Sequence, residues 1–206
     1  MTSLKTLKLA ALALATAVAT LATAPAAFAA DGVRVRGTVV SLAGNHLLVK
    51  SRDGDNVAIT LAADWKAGGI AKAQLADIKP GDFVGVASLP GAKVDGALEV
   101  LVFPPAMRGT GEGSYGWDLK PNSSMTNGSV SEAVQSVEGT TLNVVFHGQS
   151  KKINVTPGTP VVTFAPATVA DVKPGAAVFV PAQRADNGQL SAAQVVVGKN
   201  GIVPPM

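Results

Sequence analysis

Cysteine is absent from this 206-residue chain, so no disulfide framework holds it together and its stability must come from packed side chains. Aromatic residues are scarce, at 4% of the sequence. That leaves too few flat faces for the stacking platform on which single-stranded nucleic acid is bound. Charged residues amount to only 15% and are interspersed, with no block of one sign. Two lysines, Lys5 and Lys8, fall in the first thirty residues with no acid beside them. The remainder therefore carries fifteen basic against fourteen acidic residues. So even a balance gives little electrostatic drive towards nucleic acid or an anionic membrane.

Catalytic signatures are missing as well. There is no cysteine nucleophile and no Gly-x-Ser-x-Gly elbow, and each histidine sits at the edge of a predicted strand or turn. The expectation is a protein that is not an enzyme and holds no cofactor.

The one long apolar run lies at the start. Lys5 and Lys8 precede an uncharged Ala/Leu-rich stretch from Leu9 to Ala24, Pro25 breaks it, and Ala27-Phe28-Ala29 follows. This is the pattern of a cleaved signal peptide spanning 1–30, with cleavage after Ala29 or Ala30. A membrane anchor is the competing reading, but the run falls short of the ~20 strongly apolar residues a stable span needs. The mature chain is expected in the periplasm, with no membrane span after signal removal.

What the chain has is a phrase used twice. Leu75-Ala76-Asp77-Ile78-Lys79-Pro80-Gly81-Asp82-Phe83-Val84 returns as Val169-Ala170-Asp171-Val172-Lys173-Pro174-Gly175-Ala176-Ala177-Val178. An echo of this length marks a duplicated structural unit. Around each copy the pattern is β: alternating stretches such as Val33 to Val40, His46 to Lys50, Val57 to Leu61 and Thr141 to Phe146, separated by Gly, Asn and Asp turns. A short helical turn precedes each Lys-Pro-Gly, and Thr168 with Asp171 three residues on has the spacing of a capping box.

About five short strands with a helical turn late in the order fit a small OB-like Greek-key barrel. The expected fold is all-β: two tandem OB-like barrels over 31–103 and 129–206, joined by a long Gly-rich loop over 104–128. A single β-sandwich built from both copies is the competing architecture.

That central loop carries the only tyrosine and one of the two tryptophans. Aromatic faces framed by polar groups suit glycans or peptides. Met107, Arg108, Glu112, Tyr115, Trp117 and Asp118 are therefore the candidate contact residues for a periplasmic protein, small molecule or glycan. The alternative is that Tyr115 and Trp117 plug the seam between the barrels. Two further functions stay open: a metal-binding accessory role through Met107, Met125, His46 or His147, and a polymer-acting enzyme using paired carboxylates. No His-x-His or Met-x-x-Met motif supports the first. Asp77 and Asp171, which recur in the two copies, read as turn caps.

Several phrases together, Arg36-Gly37-Thr38-Val39, Leu75 to Gly81, Met107 to Gly113, Trp117-Asp118, Met125-Thr126-Asn127 and Pro204-Pro205-Met206, resemble a family of exported proteobacterial proteins of unassigned function. The resemblance spans essentially the whole mature chain and implies OB-like β repeats in the periplasm. Members are often labelled metal ABC transporter permeases. This sequence departs from that label, since a permease needs several spanning helices.

Overall fold

The computed structural model describes residues 31–137 and 139–205, and the expected leader lies outside them. The fold is all-β. Its twelve strands are β1 (Asp31–Ala43), β2 (His46–Ser51), β3 (Asn56–Lys72), β4 (Phe83–Leu89), β5 (Asp95–Val102), β6 (Gly113–Gly116), β7 (Ser124–Ser136), β8 (Gly139–Phe146), β9 (Gln149–Val155), β10 (Val161–Ala165), β11 (Ala177–Arg184) and β12 (Leu190–Gly198). Three single-turn 3-10 helices, Leu75–Asp77, Pro105–Met107 and Val169–Asp171, are the only helical segments among the described residues. None is long or apolar enough to cross a membrane.

The strands follow from alternation. In β8, Thr140, Leu142, Val144 and Phe146 are buried while their neighbours stay half-exposed, the period of a sheet with one face on a core. β3 is longer than its sequence suggests. The stretch around Trp65 and Gly68-Gly69 reads as irregular. It is held extended by β12 on one side, Gln194 opposite Lys66 through Gly198 opposite Ile70, and by β10 near its end.

Two five-stranded rings result. β1 pairs antiparallel with β2 and β11, β2 with β3, and β11 with β12, and β12 closes the ring by running parallel to β3. In the second ring β7 pairs with β8 and β4, β8 with β9, and β4 with β5. β5 closes this ring parallel to β9 through Asp95 opposite Ile153 and Gly96 opposite Asn154. Counted within a ring, the strand order is 1-2-3-5-4 with one parallel pair, an OB-like barrel.

The division into 31–103 and 129–206 does not describe the barrels, however. Each ring takes its first three strands from one copy and its last two from the other. The repeated phrase effects the exchange. The Gly81 N–H donates to the Val130 carbonyl at 2.7 Å and the Val130 N–H to the Asp82 carbonyl at 2.8 Å. Reciprocally, the Gly175 N–H donates to the Val39 carbonyl and the Val39 N–H to the Ala176 carbonyl, both at 2.9 Å. Each Lys-Pro-Gly turn thus docks on the first strand of the other copy. Gly81 and Gly175 sit at φ 95° and 86°, where a residue with a Cβ is strained.

A pseudo-two-fold axis relates the rings. Ile70 and Phe164 each stand five residues before their 3-10 turn, and they are register partners in the antiparallel β3–β10 pair. One core fills each barrel, around Val49, Ile59 and Val180 in the first and around Val86, Leu142 and Ile153 in the second. A third lies at the seam: Ile70, Phe83, Leu101, Phe103, Val162, Phe179 and Val196, with Phe164, Met107, Trp117 and Ile202 packed against them. Phe103 stacks edge-on to Phe83 at 5.3 Å and tilted on Phe164 at 5.6 Å. The scarce aromatics are concentrated where the two barrels meet.

Candidate functional site

Residues 104–128 are only partly a loop. Gly113–Gly116 forms β6, which lies antiparallel to the start of β7, and residues 124–128, expected in the loop, belong to β7 itself. The candidate contact residues are tied down at several points. Arg108 donates to the Gly81 carbonyl in the Lys-Pro-Gly turn and to Ser129 Oγ. Glu112 Oε1 accepts from the His147 N–H at 3.0 Å. Met107 packs into the seam. Tyr115 is 40% exposed, and its hydroxyl accepts from Asn127 Nδ2 at 3.1 Å.

Trp117 and Asp118 reach further, onto β1. The Arg34 guanidinium lies 3.9 Å from the Trp117 ring centroid, a cation–π contact that holds it flat. Asp118 accepts from Arg36 at 2.7 Å and faces Arg34 at 3.8 Å. Burial pushes the Asp118 carboxyl up, but the hydrogen bond and charge of Arg36, with Arg34 beside it, outweigh that and hold it below the usual carboxylate range. Tyr115 and Trp117 meet edge-to-face at 6.2 Å. The segment from the second barrel is thereby clasped to the first, with Trp117 at the seam.

A groove of about 700 Å³ lies on the first barrel, across β2 and β3. Its ends are the β1–β2 turn and the β11–β12 turn, and it is lined by Ser41, His46, Leu48, Thr60, Asn187 and Gln189, among others. No acidic residue, lysine or arginine lines it. Asn187 is fixed from both sides. Its Oδ1 accepts from the Gln189 N–H, and its Nδ2 donates to Gln189 Oε1, each at 3.0 Å. The Gln189 amide nitrogen is left available to a ligand. This is the face, with its two flanking loops, on which OB barrels take extended ligands.

No family model matches the chain, and no curated protein or solved structure is significantly similar to it.

The residues weighed for metal chemistry are dispersed. His46 lines the groove on β2, His147 sits in the β8–β9 turn, Met107 is in the seam, and Met125 is buried on β7 opposite Ala87. Among the described residues no three His, Cys, Asp or Glu side chains gather in a group that could hold an ion. Asp171 acts as the cap its spacing suggests: Oδ2 accepts from the Thr168 N–H at 2.8 Å, and Oδ1 pairs with Lys199 Nζ at 2.6 Å. The Lys199 hydrogen bond leads the causes that pull its carboxyl down to about 2.

Two arrangements were not legible in the sequence. Lys151 Nζ lies 2.8 Å from both Ser124 Oγ and Asp95 Oδ2, with Ser88 Oγ at 3.5 Å. A serine beside an amine is the start of a nucleophile–base pair, but an amine ion-paired with a carboxylate donates protons and accepts none. The cluster instead joins β4, β5, β7 and β9 where the second ring closes over two residue pairs. The other is Glu99 on β5, fully buried with neither carboxylate oxygen hydrogen-bonded. Burial pushes its carboxyl up to about 7 against the pull of Arg36 and Arg52. Strand alternation puts Glu99 on the face away from Val100, and it is buried only because that face meets the other barrel.

Proposed function

We propose that the chain is a non-catalytic, exported ligand-binding module whose first barrel takes an uncharged, hydroxyl-rich ligand, a glycan segment, across β2 and β3. The observation that supports this is the groove itself, whose hydrogen-bonding lining contains no Asp, Glu, Lys or Arg and surrounds the outward-facing apolar pair Leu48 and Ala58. Hydroxyls and amides placed around apolar contacts are the chemistry of a neutral polar ligand. A phosphate backbone would call for lysine or arginine there. The leader-like pattern of the first thirty residues supports a site in the cell envelope.

The test is isothermal titration of the purified protein with neutral N-acetylated and unmodified oligosaccharides. Saturable binding is expected, weakened tenfold or more by Asn187→Ala combined with Gln189→Ala and unaffected by Tyr115→Ala. Binding that ignores the two amides, or no binding to any neutral glycan, rejects this reading. Loss of binding on Tyr115→Ala would instead return the contact surface to the inter-repeat segment, where Tyr115 is the exposed aromatic face.

A further inference from the structure

The chain has five arginines, and four of them, Arg34, Arg36, Arg52 and Arg184, line one cleft of about 320 Å³ beside the Trp117–Asp118 clasp. None of its twelve lysines does. That choice matters, because a guanidinium offers a planar fork of donors matched to carboxylate or phosphate, whereas an ammonium is a compact, strongly hydrated point charge. General solubility or surface charge would not sort the two so completely.

Three of the four are held in place before any ligand arrives. Arg34 is flattened against Trp117. Arg36, whose side chain is only 9% exposed, is anchored by Asp118. Arg52 donates to the Pro204 carbonyl at 2.9 Å, and burial, with Arg36 next, lowers its pKa. Arg184, at the end of β11, is placed by its pairing with Asp31 of β1 and Leu190 of β12, and it makes no ion pair among the described residues. Groups fixed in advance lose little freedom on binding.

The cleft is not uniformly positive. Asp53 and Asp55, in the turn between β2 and β3, form part of its lining, and neither is ion-paired among the described residues. With Asp118 already committed to Arg36, the lining offers both guanidinium groups and the two carboxylates of the β2–β3 turn. We propose that this cleft is a second binding site, separate from the β2–β3 groove, for a small zwitterion: its oxyanion is held by Arg184 with Arg34 and Arg52, and its ammonium group by Asp53 and Asp55. A cavity of this size admits a ligand about as large as a dipeptide.

The probe is alanyl-alanine, titrated into the purified protein beside three comparators: its N-acetyl form, its C-terminal amide and inorganic phosphate. The dipeptide should bind saturably and more tightly than each comparator by tenfold or more. Arg184→Gln should weaken it at least tenfold. Asp53→Asn with Asp55→Asn should weaken the dipeptide but not the acetylated form. Thermal unfolding of each variant, unchanged from the parent, shows that the effect is not one of folding. Asn187→Ala with Gln189→Ala should leave dipeptide binding intact, so failure of one site is distinguishable from failure of the other. Absence of saturable dipeptide binding overturns the proposal. So does phosphate binding as tightly as the dipeptide with no response to the aspartate changes, which would make the cleft a plain anion site.

Discussion

A buried carboxyl makes the stability of this protein depend on pH around neutrality. Glu99 has an ordinary value of 4.5 and is pushed up to about 7 by burial in the seam, against the attraction of Arg36 and Arg52. Between those values the folded protein holds a proton that the unfolded chain has released. Stability must therefore fall as pH rises through that window, and the cost of carrying the ionised group is fully present above it. The shift corresponds to about 3 kcal/mol. Glu99→Gln keeps the shape and removes the charge, so its stability should vary less with pH between 5 and 8 than the parent's. Denaturant unfolding at a series of pH values measures the difference. Parallel pH profiles for the two proteins would show that Glu99 does not titrate in this range.

At the scale of the element, the repeated turn is the part whose loss should be most predictable. Gly81 and Gly175 combine a positive φ with backbone hydrogen bonds to the opposite copy. An alanine at either would be forced into left-handed geometry at about 1–2 kcal/mol. Gly81→Ala and Gly175→Ala should each lower stability by that amount, read as a shift in the denaturant midpoint, and the double variant should lose about the sum, since the two turns dock on different strands. Midpoints that do not move would mean the turns adapt. These turns were legible because Lys-Pro-Gly carries its own conformational rules: proline disfavours helix at the residue before it, and glycine accepts positive φ. Strands with clean alternation, such as Thr141 to Phe146, were legible for the same local reason. β6 was not, because Gly-Ser-Tyr-Gly has no alternation and is extended only by pairing with β7. Of the residues in the central loop, Asp118 lines the arginine cleft and Trp117 stacks on Arg34 beside it, but the arginines lie far away in sequence and no local rule gathers them.

For the whole molecule, the exchange of hairpins has a direct consequence. Residues 31–103 contain all five strand types of an OB-like barrel, yet β4 and β5 close the other ring. Expressed alone, this segment should form a homodimer in which each copy lends its last two strands to its partner, with Ile70 meeting its own counterpart where it now meets Phe164. Light scattering after size exclusion would show twice the fragment mass. A folded monomer would show that the hairpin can return to its own copy, so that the exchange depends on the second repeat.

The sequence by itself determined what is local: an all-β chain, a duplicated unit, the positions of most strands and both Lys-Pro-Gly turns, because alternation, glycine and proline act over a few residues. It did not determine which hairpin closes which barrel. Both copies present the same edges to a closing hairpin, and local propensity is indifferent between them. Only tertiary structure decided, through the pairing of β3 with β10 and the packing of Phe83, Phe103, Phe164 and Phe179 at the seam, contacts between residues far apart in the chain whose burial is realised only when the barrels share their strands.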